Sequence, residues 1–136
     1  MKLHKTGKMV RILSMVLVVA IMMSVCLVQA FAGSTYSSVF YGYQARGTIS
    51  HGSNNNYECT TSWEVSTYLE AEIWAYYRGS GNGIQEIHTI DDAYFYTMTA
   101  TTPSKAITVQ RVNALGESRI HYDGTVWVGE TYIQST

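Results

Sequence analysis

Cysteine is nearly absent. The 136-residue chain holds two, and only Cys59 lies beyond the apolar N-terminal segment. One cysteine forms no internal disulfide, so the fold must stand on packing alone. Cys59 alternates with Tyr57, Thr61, Trp63 and Val65, which reads as a small buried apolar residue; a disulfide between two chains is the other option. Pro103 is the single proline. Charge is sparse, 14% of residues, and no basic run occurs after residue 11. Nucleic acid and anionic membrane surfaces need clustered Lys or Arg, so neither is expected as a partner. Catalytic signatures are missing as well. There is no G-x-S-x-G, no phosphate loop and no histidine pair at metal-ligand spacing. The aspartates at 91, 92 and 123 lack the spacing of a calcium loop. The sequence therefore points to a non-catalytic protein, with no cofactor and no metal expected.

What is present begins with a targeting segment. Lys2, Lys5, Lys8 and Arg11 form a basic start, Ile12 to Val28 is an uncharged apolar run, and Ala30-Phe31-Ala32 fits a small-x-small cleavage rule. The expectation is a helical signal peptide over residues 1–32, cut after Ala32, and a secreted domain over 33–136. An uncleaved anchor is the rival reading, since seventeen residues sit at the short end of the roughly 17–25 that span a bilayer. After cleavage five basic residues remain against ten acids, a formal charge of −5 where the whole chain carries −1. The lack of a disulfide framework and of any Asn-x-Ser/Thr sequon leans toward export from a Gram-positive bacterium.

Helical periodicity is missing after Ala32; period-2 alternation broken by turn residues replaces it. Strands are expected at 39–49, 57–65, 68–77, 84–90, 93–101, 106–112, 119–122 and 125–133. The turns between them are His51–Asn56, the Gly-rich stretch 78–83, Asp91-Asp92, Thr102–Lys105, Asn113–Ser118 with Gly116 as pivot, and Asp123-Gly124. Asp-Gly between two alternating runs is a strong hairpin signal. Seven or eight short strands at this spacing predict a single-domain antiparallel β-sandwich.

Tyr68 to Tyr77, YLEAEIWAYY, carries the clearest alternation. Leu69, Ala71, Ile73, Ala75 and Tyr77 form one face and require a core. Tyr68, Glu70, Glu72, Trp74 and Tyr76 form the other, an aromatic strip with carboxylates between. Alternate strand residues stand about 6.7 Å apart, so the strip could cover the apolar faces of sugar rings while its acids accept hydroxyl hydrogen bonds. Ordinary sheet cover by residues of high strand propensity explains the same pattern, as does burial by a protein partner. If Phe95 points inward, Tyr94 and Tyr96 extend the strip across a neighbouring strand. His88 and His121 alternate with neighbours in a way that turns them outward.

The signal, the alternating strands, an Ala100-Thr101-Thr102-Pro103 turn and a tryptophan near the C-terminus together resemble small exported β-rich proteins of Gram-positive bacteria. The first functional expectation is a secreted binding module for a glycan or cell-wall polymer. The second is a protein-interaction, matrix or bacteriocin-like antagonistic factor using the same face for a partner or for self-association into an oligomer. In neither case does the domain contact the membrane after signal cleavage.

Overall fold

The computed structural model of the protein describes residues 11, 35–81 and 83–134. The expected signal peptide, its cleavage site and Cys26 lie outside the described residues. Among the described residues no helix is long and apolar enough to cross a membrane.

Six antiparallel strands make one sheet that curls until it is nearly barrel-shaped. They are β1 (Thr35–Phe40), β2 (Tyr43–His51), β3 (Tyr57–Arg78), β4 (Ile84–Thr101), β5 (Gln110–Tyr122) and β6 (Thr125–Gln134). The all-β antiparallel expectation stands. The sandwich of seven or eight short strands does not, because several expected breaks are not breaks. β3 runs 22 residues and β4 runs 18. Asp91 and Asp92 sit in the middle of β4 opposite Ala71 and Glu70. An edge strand tolerates such residues because their side chains keep access to water. Gly116 is no pivot either. It lies inside β5 opposite Ile73, where a Cβ would stand 2.8 Å from the Thr131 hydroxyl and 3.1 Å from the Cys59 sulfur. Only glycine lets the strands approach that closely. The expected strand at 106–112 shrinks to its last residues, and 102–109 is a connection.

The length of β3 organises the molecule. β4 pairs with one side of it over 58–62 and 67–78. The other side pairs with β2 over 57–62 and with β5 over 68–78. Between these halves β3 takes five steps from Ser62 to Thr67, while β4 takes two from Thr97 to Phe95. The surplus is a bulge, which bends a sheet sharply. The surplus is also odd, so it changes which β4 side chains face inward. Ala93 shares the inner side with Leu69, but Met98 and Ala100 share it with Thr61 and Cys59. At this corner the half carrying β1 and β2 folds over the half carrying β5 and β6.

The interior is built from the alternation read in the sequence. Leu69, Ala71, Ile73, Ala75 and Tyr77 are all buried, with Ala45, Ile49, Tyr57, Cys59, Ala114, Ile120 and Ile133 against them. Tyr57 and Tyr77 pack edge to face at 5.8 Å between ring centres. Cys59 is a free, fully buried thiol, and burial pushes its pKa up to about 11. The far margins meet through side chains. Trp127 Nε1 donates to the Ser38 hydroxyl at 2.6 Å, and Trp127 packs on Tyr36.

The connections are held by specific polar contacts. Asn55 adopts a left-handed backbone, and its side-chain amide donates to the carbonyls of Ala106 and Val109. Arg111 donates to the Gly52 and Asn56 carbonyls, fixing the same loop from β5. The Asp123-Gly124 hairpin is where the sequence placed it. Both residues have positive φ, 51° and 73°, as a type I′ turn requires.

Candidate functional site

Each outward residue of β3 between Tyr68 and Tyr76 faces one residue of β4 and one of β5, and β6 continues the row. The register therefore lays out a field four strands wide. Tyr94, Tyr68, His121 and Val126 form its first row. Asp92, Glu70, Arg119 and Val128 form the second, and Ile90, Glu72, Glu117 and Glu130 the third. His88, Trp74, Leu115 and Tyr132 form the fourth, and Glu86, Tyr76, Asn113 and Gln134 the fifth. All five residues expected from the sequence lie on this one face. Acids occupy the middle rows, and aromatic rings flank them.

The face is less open than an isolated strand suggests. Tyr68, Glu70, Trp74 and Tyr76 are half-buried, and Glu72 is only 8% exposed. The cause is position. β3 has neighbours on both sides, so side chains from β4 and β5 lean over it. Phe95 sits on the core-side register of β4 yet is exposed, because the bulge carries it past the core. Tyr94 shares the outer register with Tyr68, is 77% exposed and lies 5.6 Å from the Tyr68 ring, while the condition set for it, a buried Phe95, is not met.

Glu72 anchors a cross-strand network. Its Oε1 lies 2.7 Å from Nε2 of His88, and its Oε2 lies 2.9 Å from Arg119, which also reaches Glu117 at 2.6 Å. Burial opposes ionisation of Glu72, but the hydrogen bonds from His88 and Arg119 and the nearby Arg119 charge outweigh it. Its pKa falls below the ordinary carboxylate value, so it is an acceptor and the His88 proton sits on Nε2.

Glu70 makes a second pair, its Oε2 2.7 Å from Nε2 of His121. The Tyr68 hydroxyl donates to Asp92 at 2.6 Å, and that bond is the main cause of a phenol pKa raised to about 12. The His88 ring stacks on Trp74 at 5.2 Å with 16° between planes, and His121 packs on Tyr68 at 4.9 Å. Each histidine thus joins one carboxylate to one aromatic ring. Asn113 donates to the Tyr132 hydroxyl at 3.2 Å, extending the field to β6.

His88, His121, Arg119, Glu117 and Asp92 complete the field, and the sequence analysis assigned none of them to it. The two histidines do turn outward as expected. For His88 and Asp92 a signal existed. A hairpin closed by the loop at 79–83 pairs Arg78 with Ile84, and stepping back from there sets Trp74 against His88 and Glu70 against Asp92. For the β5 residues no such signal exists, because β5 reaches β3 across an intervening strand and loop.

Among the described residues no group of three His, Cys, Asp or Glu side chains is placed to hold a metal ion. The arrangement presents hydrogen-bond acceptors and flat apolar rings to one side, and its cations are already engaged by acids. No protein-family model matches the chain, and neither a curated protein nor a solved structure shows significant similarity to it.

Proposed function

We propose that the protein is a small exported, non-catalytic binding module that recognises a glycan or cell-wall polymer through the outer face of β3. The observation that carries this reading is the order of rows: rings at Tyr68 and Tyr94, then paired carboxylates, then rings at Trp74 and Tyr76. A sugar chain offers apolar ring faces alternating with hydroxyl groups, and this order matches both. The carboxylates are held by neighbours, so little side-chain freedom is lost on binding. An ionised carboxylate has about four acceptor sites, so Glu70 and Asp92, less buried than Glu72, keep room for hydroxyl donors beside the bonds they already make. Export from a Gram-positive cell by cleavage after Ala32 would deliver the module to such a polymer.

The test is retention of the full chain on insoluble polysaccharides and on peptidoglycan, with tryptophan fluorescence followed on any polymer that retains it. Trp63 and Trp127 are buried while Trp74 is half-exposed, so a ligand on this face acts mainly on Trp74 emission. The expected outcome is retention with a change in emission, and loss of both in a folded Trp74→Ala variant. Retention that is unchanged by Trp74→Ala, or no retention on any polymer, would refute the reading.

A second reading is a protein-interaction, matrix or bacteriocin-like antagonistic factor. It is favoured by a different observation: Ile84, Ile90, Tyr94, Phe95 and Tyr96 are exposed along a single strand, β4.

A further inference from the structure

Strand β4 pairs with β3 on one side, and among the described residues nothing pairs with its other side. The remaining margins of the sheet are short and lie against each other, with Trp127 of β6 bonded to Ser38 and packed on Tyr36 of β1. β4 is the opposite case: long, open, and without the lysine or proline that guards many edges. Over Ile84–Tyr96 it spans 12 steps, about 40 Å. Along that length Ile90 is 52% exposed and Phe95 54%.

We propose that β4 pairs antiparallel with β4 of a second copy, joining two sheets edge to edge about a two-fold axis through Ile90. The proposal differs from the polymer reading in resting on the backbone edge of β4, although His88, Asp92 and Tyr94 belong to both surfaces.

The register follows from geometry and charge. A two-fold normal to a sheet sets residues opposite one another that point to the same face, so their numbers differ by an even count. An axis at Asp92 would set Asp92 against its own copy, and an axis at Asp91 would do the same to Asp91. Like charges directly opposite destabilise a strand pair. An axis beyond Asp92 would carry the pairing into the bend that follows Phe95. An axis at Ile90 avoids the like-charge faults and ends the regular pairing at Gln85 on Phe95, before the bend. It sets Ile90 on Ile90 of the partner, His88 on Asp92 in both directions, Thr89 on Asp91, Glu86 on Tyr94 and Gln85 on Phe95. Every acid of the edge then meets a donor or a ring, and the exposed Ile90 meets its own copy. A second copy fits this edge because the register at Ile90 makes it complementary to itself over its longest regular stretch.

The experiment uses the full chain with Cys26→Ser, in which Cys59 is buried and the thiol background is low. Directly opposite residues stand about 4.5–5.5 Å apart at Cα, inside the range a disulfide spans. Ile90→Cys is therefore expected to cross-link copies under mild oxidation. Gln85→Cys alone is not, but it should cross-link to a Phe95→Cys chain mixed with it. Ile107→Cys, on the exposed 102–109 connection, is the control for random collision. In sedimentation the unmodified edge is expected to give dimers, and Ile90→Lys, which sets like charges on the axis, to weaken them by about fivefold. A strict monomer at high micromolar concentration overturns the proposal. So does cross-linking at Ile90→Cys no faster than at Ile107→Cys, or dimerisation unchanged by Ile90→Lys.

Discussion

Replacing Glu72 by glutamine isolates the cross-strand network from packing, because the two side chains have nearly the same shape. In the native protein Glu72 accepts from His88 on one oxygen and from Arg119 on the other. Glutamine keeps one acceptor and turns the second into a donor facing a donor. One charge-assisted hydrogen bond is lost, and such bonds contribute about 1.5–3 kcal/mol. Two corrections lower the figure. Removing a buried charge relieves its desolvation, and the His88 side chain is 48% exposed, so water competes for that bond. A loss of about 1–2 kcal/mol at neutral pH remains, which for a domain of this size lowers Tm by roughly 4–12 °C. The sign with pH is fixed. The folded-state pKa of Glu72 lies below its ordinary value of 4.5. Its contribution is therefore complete above that value and disappears as pH falls through the folded pKa. Thermal melts of both proteins should differ at pH 7 and converge as the pH falls well below 4.5. An equal gap at pH 7 and pH 3, or no gap at pH 7, would refute the assignment of Glu72 as an ionised anchor.

Two glycines should respond for different reasons. Gly116→Ala pushes a methyl against Thr131, Cys59 and Ile49 inside the sheet and should cost about 1–3 kcal/mol in denaturant unfolding. Gly124→Ala meets no atom within 4 Å, so its cost should be only the left-handed backbone term of about 1–2 kcal/mol. The Cys59 thiol, buried and pushed up to about 11, should react with a thiol reagent at neutral pH only after unfolding; prompt reaction in the native protein would contradict its placement.

The inner face of β3 was legible because it obeys one rule without interruption. Leu69 to Tyr77 alternates, and alternation translates directly into inside and outside. The Asp123-Gly124 turn was legible because its backbone angles demand those residues. Strand ends were less so. Asp91-Asp92 has turn chemistry, yet Asp92 is held in a strand by the Tyr68 hydroxyl. Gly116 looks like a pivot, yet its lack of a side chain serves a close approach between strands. In both cases a tertiary neighbour overrode a local preference, and the neighbour is far away in sequence. The candidate face was half legible for the same reason. Its five β3 residues share one short stretch, whereas Arg119 and His121 join them only through the pairing of β3 with β5.

A strand that belongs to two halves of a molecule has a consequence for how that molecule opens. Residues 57–62 of β3 hold β2, and 68–78 hold β5, with one continuous backbone between. Neither half can peel away without pulling on the ladder of the other. Partial opening is therefore expected at the margins, β1, β6 and the outer edge of β4. The amides of Leu69 to Tyr77 that face β5 are expected to exchange with solvent only when the whole domain unfolds. The long strand makes the protein a single cooperative unit, though no disulfide ties its described residues together.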